Sequence, residues 1–140
     1  MEQIVNLEPI CAKYGRKIII KDNKIKIKDQ ENIINKALGV LAENGLYAMA
    51  VFLLSCHKKE YGKKVLTDFL YELWSNNKVQ LIDKKNFQND PAELLTAVRK
   101  ITESLPKLIL ARKVTEQALI FARYHAKAEI TSENKGNSNE

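Results

Sequence analysis

From residue 31 onward, apolar residues return every three or four positions, the period of an α-helix. Ile34, Ala37, Leu38 and Leu41 fall on one such face. Asn44-Gly45 follows as a C-terminal cap, because glycine tolerates the left-handed backbone that ends a helix. Leu46 to Ser55 is apolar on nearly every face, which predicts a helix at the centre of a bundle. The basic run His57-Lys58-Lys59 closes it and suits the negative end of a helix dipole. The next helix is predicted over Tyr61 to Asn76, with Leu66, Phe69, Leu70 and Leu73 as its buried stripe and Trp74 beside them. Residues 77–89 read as a polar connection with one apolar patch, Val79 to Ile82. Asp90-Pro91-Ala92-Glu93 is a helix start in which Asp90 caps, Pro91 suits the first turn and Glu93 completes the box. Leu94, Ala97, Val98 and Ile101 form that helix's inner face. Pro106 breaks or kinks the run. A last helix continues to about Glu129, with Leu110, Val114, Ala118, Phe121, His125 and Ala128 along one side.

Residues 1–30 read differently. A short helix from Pro9 to Tyr14 stops at Gly15. Lys17-Ile18-Ile19-Ile20 and the alternating Ile25-Lys26-Ile27-Lys28 then flank Asp22-Asn23, a turn pair, which predicts a small β-hairpin. A two-stranded hairpin is marginal alone, so it must lie on the bundle or on a partner. The alternative for residues 16–28 is part of a helix. The stretch from Thr131 to Glu140 has little apolar content and reads as a mobile, disordered tail. The expected fold class is therefore all-α. A bundle of about five to six helices occupies residues 31–130, preceded by the short helix and basic hairpin of residues 1–30.

Composition bounds the class. The chain's 140 residues fit one domain, and 45% apolar content does not favour disorder. No stretch reaches the roughly 18 uncharged apolar residues of a membrane span, and Leu46 to Leu54 lacks the flanks of a signal peptide. The chain reads as cytoplasmic, without a membrane partner. Cys11 and Cys56 make no CxxC and no metal spacing, and read as reduced and buried.

The formal net charge is +6, and its placement matters more than its size. Seven basic residues and one acidic residue, Asp22, lie between Lys13 and Lys28, whereas the rest of the chain is balanced at sixteen of each sign. A localised patch of this kind suits a nucleic acid or an acidic protein. A solvated, lysine-rich surface loop accounts for it equally well. In this segment Arg16, Lys17, Lys24 and Lys26 are the candidates for partner binding. Lys58, Lys59, Lys63 and Lys64 straddle one turn as a cationic knob, and Arg112, Arg123 and Lys127, with Lys113 nearby, share one side of the last helix. Cations at helical pitch track a phosphate backbone without reading bases. Taken singly, each is better explained by solvation, or by an Arg112–Glu116 pair at i, i+4.

Catalytic chemistry has little foothold. Ser55, Cys56 and His57 are adjacent, so on a helix they point about 100° apart and cannot form a nucleophile–base pair. His125 lies on an apolar face and reads as a packed core histidine. Two histidines without clustered thiolates or carboxylates make no zinc site, and the five glycines make no phosphate loop. No enzyme and no cofactor is expected.

Two stretches carry a resemblance. One is NGLYAMAVFLLS from Asn44, with the step Asn44-Gly45-Leu46 and the pair Phe52-Leu53; the other is ARKVTEQALIFARYHAKAE from Ala111, with Thr115, Glu116, Ala118, Leu119, Phe121 and Ala126. Together they resemble the small helical subunit of type III-B CRISPR effector complexes, the Cmr small subunit, over roughly residues 31–128. Residues 1–30 depart from that family, which begins with a long helix. Arg123-Tyr124 stands where the family carries Trp-Leu. The resemblance implies a non-catalytic subunit that stacks in several copies along guide RNA and target RNA. It would contact other effector subunits and turn basic side chains to the target strand. In such complexes base pairing supplies specificity and protein contacts to phosphates add affinity. The alternative is a helical protein–protein adaptor with a basic docking segment and no RNA role. A small enzyme using Cys56 or His57 is disfavoured.

Overall fold

The computed structural model describes residues 6–21, 24–83 and 90–138, with side chains through residue 132. The elements are α1 (Glu8–Ile18), α2 (Ile27–Asn44), α3 (Leu46–Ser55), α4 (Lys59–Lys64), a π-helical segment (Val65–Leu70), α5 (Tyr71–Ser75), α6 (Pro91–Thr102) and α7 (Leu105–Ser138). The segments from Lys59 to Ser75 run on without leaving helical backbone, so they form one rod and the described chain is a bundle of six helices. The all-α expectation therefore holds.

α7 is the spine. Ala111, Val114, Thr115, Ala118, Leu119, Ala122 and Ala126 recur at steps of three and four and are all buried, so a stripe of mostly small residues lets α1 and α2 approach closely. This stripe is rotated from the one predicted. Val114 and Ala118 are shared, but Leu110, Phe121 and His125 are half-buried and Ala128 is exposed. The prediction favoured bulky residues, whereas the crossing helices select alanine. Pro106 sits in the first turn of α7, where its missing N–H costs nothing, so it starts this helix after a break at Glu103-Ser104. The helix continues to Ser138, beyond Thr131 where a tail was expected.

Gly15 does not end α1. It is the crossing point with α7: a Cβ there would lie 2.6 Å from the Ala118 carbonyl oxygen and 2.7 Å from Phe121 Cβ. Glycine serves here for close approach rather than for left-handed backbone, and α1 runs on to Ile18. That extension removes the predicted hairpin. Arg16, Lys17 and Ile18 are the last turn of α1, and Ile27 opens α2. The proposed turn, Asp22-Asn23, lies outside the described residues. The alternation was real as burial, since Ile25 and Ile27 are buried around exposed Lys26. A side chain takes up backbone groups on both sides of residues 21–24. Buried Gln30 donates from Nε2 to the carbonyls of Ile20 (2.7 Å) and Ile25 (3.3 Å), and its Oε1 accepts from the Ile20 N–H (3.0 Å). Both backbone groups of half-buried Ile20, and the carbonyl of buried Ile25, thus have partners.

Gly45 adopts φ 95° and its N–H donates to the carbonyls of Val40 and Leu41, capping α2 as expected. α3 buries Leu46, Met49, Ala50 and Leu53, but Tyr47 and Val51, one turn apart, are exposed. It is therefore a flank of the bundle, not its centre. Asp90 caps α6 by accepting from the Ala92 N–H at 3.0 Å, and Leu94, Val98 and Ile101 point inward. Within the rod, the Tyr71 N–H reaches back to the Leu66 carbonyl, the i→i−5 bond of a π-turn. Beyond it Trp74, fully buried, donates from its indole N–H to Thr115 Oγ1 at 2.8 Å, tying α5 to α7.

Candidate nucleic-acid interface

The turn between α3 and α4 is tight for a steric reason. A Cβ at Gly62 would run into the Leu53 carbonyl oxygen and sit 2.7 Å from Cys56 Sγ, so only glycine lets α4 fold back this closely on α3. Tyr61 is drawn inward at the same turn, and its buried hydroxyl donates to the Ile18 carbonyl at 2.7 Å. With Tyr61 and Gly62 facing the core, Lys59, Lys63 and Lys64 face outward, and Lys58 is half-buried at the start of the turn.

The same contact from Tyr61 to the end of α1 brings Ile20, Lys24 and Ile25, which lie between α1 and α2, beside the turn. An open groove of about 530 Å³ lies between them. Lys24 lines it from the loop, and Lys58, Lys59 and Lys64 line it from the turn. Its apolar lining is Ile20, Ile25 and Tyr61, with His57 and Glu60 completing it. Two groups of cations far apart along the chain therefore share one site, with Lys24 joining three of the four lysines of the knob. Lys63 is exposed beside the groove but does not line it. Among the described residues, Lys58, Lys59, Lys63 and Lys64 form no ion pair.

The other predicted cations are not brought there. Arg16, Lys17 and Lys26 are exposed, and Lys17 Nζ stands 5.2 Å from the Tyr14 ring centroid, a cation–π distance. Arg112 is engaged in the fold: its Nη2 donates to the Leu41 carbonyl at 3.2 Å, placing a positive charge at the C-terminal end of α2. That contact, not a pair with Glu116, is its partner. Lys113 is exposed and lines a shallow depression with Ile109, Glu116 and Ile120. Arg123 is half-buried, with Nε enclosed and its guanidinium carbon 5.8 Å from the Tyr124 ring. Lys127 is exposed one turn further on. The cations of α7 thus share a side of the helix but not an environment.

His57, Glu60, Ile20, Ile25 and Tyr61 were missed as groove residues. His57 had one legible signal, its place beside Lys58 and Lys59 at a helix end. The apolar lining had none, because it depends on a contact across 43 positions between Tyr61 and Ile18.

The neighbouring hydroxyl and thiol are turned to backbone. Ser55 Oγ donates to the Val51 carbonyl at 2.9 Å and Cys56 Sγ to the Leu53 carbonyl at 3.6 Å. Burial raises the Cys56 thiol above its ordinary value, and raises Cys11 to about 11, which holds both as thiols. Both cysteines are free and buried. Among the described residues, no three His, Cys, Asp or Glu side chains are grouped to hold a metal ion, and no helix is long and apolar enough to cross a membrane. Comparison with family models, with curated proteins and with solved structures returns no match to this chain.

Proposed function

We propose that this chain is a non-catalytic helical subunit of a type III CRISPR RNA-guided effector complex, and that it lays the lysines of the α3–α4 turn against RNA phosphates. The observation that supports this reading best is the convergence of Lys24, Lys58, Lys59 and Lys64 on one open groove, with Lys63 exposed beside it. Taking lysines out of mutual repulsion and releasing the counterions condensed on RNA favours association, without any need to read bases. The resemblance over residues 31–128 supplies the assembly. Guide RNA, target RNA, other effector subunits and further copies of the chain are its partners, and the cytoplasm its place. Arg16, Lys17 and Lys26, spread over the exposed side of α1 and the start of α2, are assigned to protein contacts. Lys113, Arg123 and Lys127 form a second, weaker line of backbone contacts, while Arg112 contributes chiefly by holding the end of α2.

The test is affinity purification of the tagged chain from its native host, with sequencing of co-purifying RNA. Short RNAs with a constant repeat-derived end, together with several other subunits, are expected. A protein partner recovered at low salt without RNA would sink the proposal and favour the adaptor. The exposed Leu105 and Ile109, one turn apart at the start of α7, are the feature that favours such an adaptor.

A further inference from the structure

The groove has more depth than a phosphate backbone needs. A duplex presents its phosphates on a convex surface, which would touch the lysine rim and leave a recess of about 530 Å³ empty. That recess is in the size range of small-molecule pockets, with an apolar interior and a few convergent polar groups at its mouth. Ile25 and Tyr61 are buried and Ile20 is half-buried, so the interior is held by core residues rather than by mobile side chains. Gln30 fixes the loop on one side through Ile20 and Ile25, and Tyr61 fixes the turn on the other. The apolar lining is therefore held in place, and little ordering of Ile20, Ile25 and Tyr61 is required on binding. His57 adds an aromatic ring at the rim among Lys58, Lys59 and Lys64.

We infer that this groove takes one unstacked base of a single-stranded RNA, the base lying on Ile20, Ile25 and Tyr61 beside His57 while Lys58, Lys59 and Lys64 hold the flanking phosphates. The inference rests on the phosphate-contacting reading above and deepens it from backbone contact to single-strand preference. Splayed-out bases on aromatic and apolar surfaces are the usual mode of single-strand recognition, and it tolerates any sequence because every base has an apolar face. Glu60 on the same rim adds a carboxylate, which disfavours packing more than a short stretch of phosphates there.

Fluorescence anisotropy on the full-length chain tests this with three probes at low salt: a short single-stranded RNA, the same strand made abasic, and its duplex. The single strand is expected to bind about tenfold tighter than either of the others. His57→Ala, an exposed substitution, is expected to bring the single strand down toward the abasic level, and Lys64→Glu to weaken all three. Equal binding of the three probes would overturn the base pocket and leave the phosphate reading standing. A base preference unchanged by His57→Ala would place the base elsewhere and overturn this assignment. No binding of any probe would overturn both readings.

Discussion

The indole N–H of Trp74 meets Thr115 Oγ1 at 2.8 Å in a fully buried setting, 41 positions apart in the chain. A buried indole without an acceptor is costly, so this pair decides how α5 sits on α7. Thr115→Val keeps the shape and removes the acceptor. It is expected to destabilise by about 1–3 kcal/mol, the cost of a stranded donor. In a Trp74→Phe background, where the donor is gone, the same change should cost less. Urea titration of the four proteins checks this, and additive effects would mean that the hydrogen bond contributes nothing.

The glycines divide by what surrounds them. Gly39 is exposed within α2 and a Cβ there would meet nothing within 4 Å, so Gly39→Ala is expected to stabilise by about 0.5–1 kcal/mol. Gly15→Ala and Gly62→Ala push a methyl into backbone of another element and should destabilise by at least about 1–3 kcal/mol. Thermal melting of the three variants should give opposite signs for the first and the other two.

Gln30 is the support of the α1–α2 loop. Gln30→Leu retains the volume and strands the half-buried backbone groups of Ile20 and the buried carbonyl of Ile25. The expected cost is about 1–3 kcal/mol, accompanied by faster hydrogen exchange at the Ile20 amide than in the body of α2. Unchanged exchange at Ile20 would show that the amide is protected by other means.

Alkaline stability depends on three buried acids, Cys11, Cys56 and Tyr61, each raised by burial. Burial raises Cys11 from an ordinary 9.0 to about 11 and raises Tyr61 well above its ordinary 10.0. For such groups the native state keeps a proton that the unfolded chain has released. The stabilisation is complete below the unfolded values and is lost as pH rises above 9.0 for the thiols and 10.0 for the phenol. Each group then contributes a slope of up to about 1.4 kcal/mol per pH unit. Tyr61→Phe should be about 1 kcal/mol less stable near neutrality, having lost its bond to Ile18, but should fall less steeply above pH 10.0. Denaturant midpoints from pH 7 upward, compared between the two proteins, provide the check.

Much of the bundle was legible because its signals are local. The period of Ile34, Ala37 and Leu41, the Gly45 cap and the Asp90-Pro91 start each act within a turn or two of chain, and each holds. The errors came where a tertiary contact reassigned a residue. Gly15 resembles a stop until α7 crosses it. Ile25-Lys26-Ile27 alternates like a strand, but Ile27 already opens α2 and the Ile25 carbonyl accepts from Gln30. The site was half legible for the same reason. Lys58, Lys59, Lys63 and Lys64 are neighbours in sequence, whereas Lys24 and the apolar lining join them only through Tyr61 and Ile18. The bond from Arg112 to the Leu41 carbonyl, across 71 positions, likewise left no local signal in the sequence.

The π-segment Val65–Leu70 has a consequence for how the two ends of its rod are aimed. A π-turn takes one more residue than an α-turn for the same hydrogen-bonded step. It therefore sets the azimuth of α5 relative to α4. Lys59 and Lys64 of α4 line the groove and Trp74 of α5 points to Thr115, and one uninterrupted α-helix would not satisfy both. Winding the same residues as a regular α-helix, with none removed, would swing one end by about 100° against the other. Either the cationic rim or the indole anchor would then face the wrong way. The irregular turn is a phase adjuster, through which the outward face of the molecule and its interior are indexed separately.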